Sequence, residues 1–208
     1  RWLPPIDAGL TGWEIQKRRK SHWNARRLEG GKTYFLKWFF HGPWSNPARR
    51  EWHNARLVSA LGIPTVLAAG WGRHGQGTFI ALEGSAGLPA EAWRRRGAAP
   101  ETLLHHAMDL AALAARLHDA GLCHRDLNVY HVLVSEEGIR LIDVGRITRF
   151  RRRRWIVKDL ASLLASARRE AFPASAARSF LRRYLELTRR PWSRRSLLRA
   201  VLAKAERY

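Results

Sequence analysis

Cysteine, acidic residues and long apolar runs are all scarce in this sequence. A single cysteine, Cys123, among 208 residues excludes an internal disulfide bond and favours a reducing compartment. No apolar run approaches the roughly 20 residues that a bilayer-spanning helix needs. The first ten residues, RWLPPIDAGL, contain no apolar stretch of signal-peptide length. We therefore expect no segment that crosses a bilayer. The absence of an initial Met indicates a trimmed chain, from which targeting residues could be missing.

The charge balance is strongly one-sided. Seventeen Asp and Glu residues stand against 38 Lys and Arg residues, of which 32 are Arg, so the formal net charge is +21. Such a field attracts phosphate groups, anionic lipid or nucleic acid, although it does not specify a fold. The excess of Arg is explained either by partners of this kind or by the base composition of the gene. A hydrophobic content of 46% with ten Trp residues excludes a disordered chain.

The first part of the chain has the pattern of short strands around one helix. TYFLKWFF at residues 33–40 is aromatic and apolar between glycine-containing turns, which is typical of a buried strand. Helical spacing follows over residues 48–61 and ends at a Gly-Ile-Pro sequence. Two apolar runs, 64–69 and 78–82, flank a glycine-rich turn and predict a hairpin.

From Ser85 onward the pattern becomes mostly helical. Apolar residues at helical spacing predict helices over residues 101–120, 159–167, 176–187 and 196–205. Two short strands, 131–134 and 139–144, are predicted between the first and second of these helices. The sequence therefore predicts one α+β domain over residues 1–208, with a small β-rich lobe at 1–84 and a mostly helical lobe at 85–208.

Two short acidic motifs carry the strongest chemical signal. Asp126 lies in His-Arg-Asp-Leu, and Asp143 follows 17 residues later in Asp-Val-Gly. Each lies beside a predicted short strand, so both carboxylates can meet at one end of the same hairpin. One carboxylate could accept a hydroxyl proton while the other holds a divalent cation against phosphate oxygens. This arrangement suits phosphoryl transfer, in which a protein mainly positions groups and neutralises charge.

A lysine in the buried strand adds a third signal. Lys37 needs an anionic partner because an unpaired ammonium in a low-dielectric site is costly. Glu51, 14 residues later and near the start of the predicted helix, is the natural partner. The alternative is that Lys37 reaches solvent at a strand edge and that Glu51 is a solvated helix residue.

Along the chain, Lys37 is followed by Glu51, then by the His-Arg-Asp motif and then by the Asp-Val-Gly motif. In this order of motifs the chain resembles the protein kinase superfamily and, more closely, the bacterial lipopolysaccharide kinases of the Kdo/WaaP family. The closer resemblance rests on three stretches: YFLKWFF with ARREWHNARLVSALGIPT, CHRDLNVYHVLV, and IRLIDVGRITRFRRRRWIVKDLASL. Together they cover roughly residues 30–170. The resemblance implies a bilobal protein kinase-like fold that uses ATP and Mg²⁺.

The resemblance also implies nucleotide contacts at particular positions. Asp143 would bind the Mg²⁺ that bridges the ATP phosphates, and Lys37, held by Glu51, would contact the α- and β-phosphates. Leu82 and Gly84 would contact the nucleotide as well.

Further roles are implied around the catalytic loop. Asp126 would be the catalytic base, and His131 stands where a second metal ligand is expected, although imidazole matches a hard cation less well than oxygen does. His124 and Arg125 would brace the loop, and Asp159 would anchor it from the helix beneath.

Two basic segments remain to be explained. The turn at residues 17–22, where protein kinases carry a glycine-rich phosphate loop, is Lys-Arg-Arg-Lys-Ser-His and contains no Gly. Its charges would either replace part of that loop or form a solvated turn. The second segment, residues 149–155, lies where the resemblance places the acceptor. Arg149, Arg151 and Arg152 would bind an anionic sugar or membrane surface; a solvated surface is the second interpretation and nucleic acid the third.

We therefore predict a kinase that phosphorylates a sugar hydroxyl, of Kdo or heptose, in the lipopolysaccharide inner core. The expected partners are lipopolysaccharide core or a related anionic glycolipid and an anionic membrane surface. The expected location is the cytoplasm, at the inner face of the membrane. Alternatives are another small-molecule or protein kinase on the same fold, a degenerate kinase fold that binds or regulates, and a basic nucleic-acid-binding domain.

Overall fold

The first part of the chain folds into a five-stranded antiparallel sheet. In the computed structural model, which describes residues 12–40, 45–74, 77–150 and 152–208, the strands lie in the order β1-β2-β3-β5-β4. Their bounds are β1 Glu14–Arg18, β2 His22–Glu29, β3 Lys32–Phe40, β4 Ala68–His74 and β5 Gly77–Glu83, and helix α1 (Pro47–Ala60) follows β3. The sequence predicted β3, α1 and β5 to within one residue at each end.

Three strands of this sheet differ from the prediction. Strands β1 and β2 were not predicted because charged residues interrupt their apolar alternation. The prediction for β4 was wrong, since the strand occupies the glycine-rich stretch that indicated a turn. Gly72 is needed there because a Cβ at this position would lie 2.7 Å from Cζ of Phe79 on the paired strand. The glycine therefore makes room for an aromatic ring within the strand.

A small aromatic core covers one face of the sheet. Ala25, Leu36, Trp38 and Phe79 are buried in it, and the rings of Trp38 and Phe79 stack with centroids 5.6 Å apart. Successive side chains of a strand point to opposite faces, so Lys37 lies on the other face of β3.

The second part of the chain contains five helices and five short strands among the described residues. The helices are α2 Ala90–Arg95, α3 Pro100–Asp119, α4 Arg154–Arg169, α5 Ala174–Leu187 and α6 Arg194–Ala205. The strands are β6 Leu88–Pro89, β7 Leu122–Cys123, β8 Val132–Ser135, β9 Gly138–Leu141 and β10 Thr148–Arg149, paired as β6-β8-β9 and β7-β10.

Helix packing forms the core of this part. Helix α3 packs against α5 and α4 packs against α6, with Leu117, Ile156, Leu160 and Tyr184 at most 1% exposed. The prediction of α3, α5 and α6 is confirmed within two residues at each end. Helix α4 begins five residues earlier than predicted, at Arg154, and its first turn includes the buried residues Ile156 and Val157. Helix α2 and the two-residue strands β6, β7 and β10 are too short to give a period and were not predicted.

The described chain divides into two units. The residues up to Ser59 together with Thr65–Ala86 form the first, and Ala60–Pro64 with Gly87–Tyr208 form the second. The prediction placed the boundary between residues 84 and 85. In the part of the chain that the structure describes, no helix combines the length and the apolar character that a membrane span requires.

Candidate active site

Lys37 and Glu51 form an ion pair in the first unit. Lys37 lies on the central strand β3, opposite Asn24 of β2 and Ile80 of β5. Its Nζ donates to Oε1 of Glu51 on α1 at 2.6 Å. The Glu51 side chain is only 3% exposed and that of Lys37 19% exposed. The pair matches the expectation that a buried lysine has an anionic partner.

The two further predicted nucleotide contacts lie at the end of β5. Leu82 is buried opposite Phe35 of β3. Gly84 follows the strand, and its N–H donates to the carbonyl of Thr33 at 2.6 Å. A Cβ on Gly84 would lie 2.8 Å from that carbonyl oxygen, so only glycine fits this close approach. A contact of either residue with a nucleotide remains a prediction.

The carboxylate of Asp159 on α4 anchors the catalytic loop of the second unit. It is 0% exposed and accepts hydrogen bonds from the backbone N–H groups of His124 at 2.6 Å and Arg125 at 2.8 Å. His118 Nε2 approaches the same carboxylate at 3.4 Å, and the Tyr184 hydroxyl lies 2.8 Å from His118 Nδ1. Burial raises the pKa of the Tyr184 hydroxyl. The carboxylate therefore joins α3, α4 and α5 to the loop.

His124 and Arg125 connect the loop to its surroundings. Burial lowers the pKa of His124, so the ring is neutral at pH 7, and its Nε2 lies 3.3 Å from the carbonyl of Ile142. Arg125 has a left-handed backbone, with φ 67°. Its carbonyl accepts from Lys158 Nζ at 2.7 Å, and its guanidinium lies 5.1 Å from the ring centroid of Trp155.

Asp126, His131 and Asp143 come together at one end of the β8-β9 hairpin. Each offers a ligand atom, and these atoms all lie within 4.8 Å of one another. His131 Nε2 is 3.4 Å from Asp143 Oδ2. The backbone N–H of Ile142 donates to the carbonyl of His131 at 2.9 Å, which extends the pairing of the two strands up to the cluster. The sequence predicted that the two carboxylates meet here.

Asp143 itself has a left-handed backbone, with φ 55° and ψ 45°. A non-glycine residue in this region is uncommon and is enriched at functional sites. The strain turns the chain sharply after Ile142, into the short 3₁₀ turn of residues 144–146.

Arg146 is a site residue that the sequence analysis missed. Its Nη1 lies 3.4 Å from Oδ2 of Asp126, and both side chains are partly exposed. The position three residues after Asp143 was its only signal, and in a chain with 32 Arg residues this one did not stand out.

The predicted acceptor segment does not behave as one uniform basic patch. Arg149 on β10 and Arg152 are exposed, whereas Arg151 lies outside the described residues. Arg153 instead donates from Nη1 to the hydroxyl of Ser196 on α6 at 3.0 Å. Arg154 lies 5.1 Å from the ring centroid of Trp155. Arg149 and Arg152, the two described arginines that were predicted to bind the acceptor, are both exposed to solvent.

A sequence model of the lipopolysaccharide kinase (Kdo/WaaP) family matches residues 13–184. The chain belongs to this family. The family match includes the ion pair of Lys37 and Glu51 and the whole cluster around Asp126, which confirms the resemblance found in the sequence.

Individual members of the family show similar agreement. The lipopolysaccharide core heptose(I) kinase WaaP of Pseudomonas aeruginosa is 33% identical over 164 residues, which cover 69% of this chain and 60% of the relative. A 3-deoxy-D-manno-octulosonic acid kinase of Xylella fastidiosa is 35% identical over 115 residues, which cover 53% of this chain and 45% of the relative. The chain thus spans less than two thirds of the length of these curated relatives.

Solved structures confirm the kinase-like fold. A structure of WaaP in complex with acyl carrier protein superposes with a TM-score of 0.72 at 27% identity and covers 93% of this chain and 86% of that chain. An aminoglycoside-3'-phosphotransferase of type VIII superposes with a TM-score of 0.67 at 21% identity, covering 93% and 94%. The predicted α+β fold, with a β-rich first part and a helical second part, is therefore correct.

Proposed function

We propose that this chain is an ATP-dependent kinase that phosphorylates a sugar hydroxyl, of Kdo or heptose, in the lipopolysaccharide inner core. The observation that carries the proposal is the cluster of Asp126, His131 and Asp143, whose ligand atoms lie within 4.8 Å of one another. Membership of the Kdo/WaaP family supports the choice of a sugar acceptor.

We propose the following roles for the individual side chains. Asp126 would accept the proton of the attacking hydroxyl, since a positioned carboxylate is a suitable general base. Lys37, held by Glu51, would contact the α- and β-phosphates of ATP, and Leu82 and Gly84 would contact the nucleotide. In phosphoryl transfer such positioning and charge neutralisation account for most of the catalysis.

The donor set of the cluster fits a divalent cation, for which we propose Mg²⁺. The carboxylate of Asp143 is a ligand that Mg²⁺ accepts, and the ring of His131 offers a second ligand atom beside it. When bound, the cation would neutralise negative charge on the ATP phosphates. Asp143 is held in position for this task by its left-handed backbone and by the paired strands before it.

Arg146 adds a positive charge beside the general base. Its guanidinium near Asp126 would stabilise negative charge that develops on the transferred phosphoryl group. Removal of Arg146 should therefore slow the chemical step more than it weakens ATP binding.

The acceptor would be recognised as an anion at the cytoplasmic face of the inner membrane. Exposed guanidinium groups at Arg149 and Arg152 support contact with the carboxylate of Kdo, with sugar phosphates or with anionic lipid headgroups. Arg151 is proposed for the same role. We propose a peripheral association, which the net charge of +21 would strengthen at low ionic strength.

The decisive experiment measures phosphate transfer from ATP to deacylated core oligosaccharide. Wild-type protein should transfer phosphate, and Asp126→Asn should lower kcat by a factor of about 10² or more. Asp109→Asn is the matched control, because Asp109 lies on α3 away from the cluster and is partly exposed. Absence of transfer in wild type, with intact folding and ATP binding, would contradict the proposal and favour a degenerate fold that only binds. Transfer to other acceptors alone would favour a different kinase.

The structure of WaaP with acyl carrier protein suggests a further partner. We propose that this chain also binds an acyl-loaded carrier protein. Support comes from an apolar cavity in the second unit that is lined by residues such as Trp93, Leu110, Phe172 and Phe180 and suits an aliphatic chain. Size-exclusion chromatography should detect a complex with the acylated carrier protein and a weaker one, or none, with the unloaded form. Equal binding of the acylated and the unloaded carrier protein would show that the acyl chain does not contribute to the interaction.

A further inference from the structure

The hydrogen bonds of His131 determine which ring nitrogen carries its proton. His131 Nδ1 lies 2.8 Å from the carbonyl oxygen of Asp126, and Asn128 Nδ2 donates to the same oxygen at 3.1 Å. A carbonyl oxygen can only accept, and its two lone pairs can take both donors. Nδ1 also lies 3.2 Å from Asn128 Nδ2, but its shorter contact is with an oxygen that can only accept, which assigns the hydrogen to Nδ1. In the neutral ring Nε2 is left with a free lone pair.

The lone pair of His131 Nε2 lies on the side of the ring next to Asp143. Nε2 of His131 is 3.4 Å from Oδ2 of Asp143. Two ligand atoms that share one cation at about 2.1 Å are separated by about 3.0 to 3.4 Å. The ring is also fixed from behind by the hydrogen bond of Nδ1, the arrangement typical of histidines that bind metals. The stacked ring of His124, with centroids 5.9 Å apart, restricts its rotation further.

A nitrogen at this position changes which cation the site prefers. Mg²⁺ is a hard ion that favours oxygen ligands, and imidazole contributes more to the binding of first-row transition metals. We infer that the cation position between His131 and Asp143 binds Mn²⁺ in preference to Mg²⁺, and that His131 is the residue that sets this preference. The inference rests on the proposed function, because it concerns the cation that accompanies ATP.

The test compares cation binding without turnover. The electron paramagnetic resonance signal of free Mn²⁺ is recorded while the protein is titrated in the presence of a non-hydrolysable ATP analogue, and Mg²⁺ is then added as competitor. The ratio of Mn²⁺ to Mg²⁺ affinity should be about tenfold higher in wild type than in His131→Asn, which offers an oxygen instead of the nitrogen. His105→Asn is the matched control; His105 is 74% exposed on α3, and its loss should leave the ratio unchanged.

Each outcome separates the inference from the function on which it rests. Equal ratios in wild type and His131→Asn, with cation binding abolished in Asp143→Asn, would overturn the inference and leave the proposed kinase standing. A wild-type protein that binds neither the analogue nor either cation would contradict the proposed function itself. The inference would be supported if His131→Asn lost the preference for Mn²⁺ over Mg²⁺ while His105→Asn kept it, with the circular dichroism spectrum of each variant unchanged.

Discussion

Replacement of Asp159 should destabilise the second unit more than any change of an exposed carboxylate. The side chain is 0% exposed and accepts two short hydrogen bonds from the backbone of the catalytic loop. Asp159→Asn keeps the shape of the side chain, but one carboxylate oxygen becomes an NH₂ group. That NH₂ group then faces a backbone N–H donor that the oxygen had accepted from. One charge-assisted hydrogen bond is lost and one buried N–H is left unpaired, which costs about 3 kcal/mol.

The larger change, Asp159→Ala, removes all acceptors at once. The backbone N–H groups of His124 and Arg125 and the Nε2 of His118 then lose their common partner. We expect a loss of about 3 to 5 kcal/mol, because each buried N–H group left unpaired costs about 1 to 3 kcal/mol. This is a large part of the total stability of about 5 to 15 kcal/mol that a domain has.

Urea denaturation followed by circular dichroism measures both variants against wild type. The control is Asp109→Asn, since an exposed pair with a histidine should change the free energy of unfolding by about 0.5 kcal/mol or less. The reasoning would be refuted if Asp159→Asn unfolded within about 1 kcal/mol of wild type. In that case the loop would be held by contacts other than this carboxylate.

Three further predictions concern single side chains. Lys37→Met should lower the free energy of unfolding by about 3 kcal/mol in urea denaturation, because the buried Glu51 carboxylate loses its ion pair with the Lys37 ammonium; an unchanged midpoint would contradict this. Arg146→Ala should lower kcat by a factor of about 10 to 10³ with little change in the Kd for ATP, measured calorimetrically, and an equal loss in both would argue against a role in the chemical step. Burial raises the pKa of the Cys123 thiol to about 11, so iodoacetamide at pH 8 should modify it only after unfolding. Rapid alkylation of the native protein, followed by mass spectrometry, would disprove that expectation.

The parts of the site that the sequence predicted depend on local rules. A lysine inside an apolar strand demands an anion, and Glu51 was close enough along the chain to be identified. Asp126 and Asp143 flank a short hairpin, so their approach follows from strand pairing alone. The prediction of β3 succeeded for the same reason, because its apolar run and flanking glycines are contiguous in the sequence.

The parts that could not be predicted depend on contacts between distant residues. His118 meets Tyr184 across 66 residues, and no spacing in the sequence indicates that pairing. Strand β4 was missed because the reason for its glycine is the ring of Phe79 on another strand. The tautomer of His131 depends on a backbone carbonyl, which has no signature in the sequence at all.

The arginine excess divides into two groups once the contacts are known. Arg125 lies over Trp155, Arg95 pairs with Glu170 at 2.6 Å, and Arg190 donates from Nε to the carbonyl of His118 at 3.1 Å. These side chains are engaged in contacts within the fold. Since Arg149 and Arg152 are exposed, they can contribute to recognition of an anionic acceptor. The number of arginines that can take part in recognition is therefore smaller than the net charge indicates. Substitution of Arg149 and Arg152 should weaken acceptor binding with little effect on the free energy of unfolding.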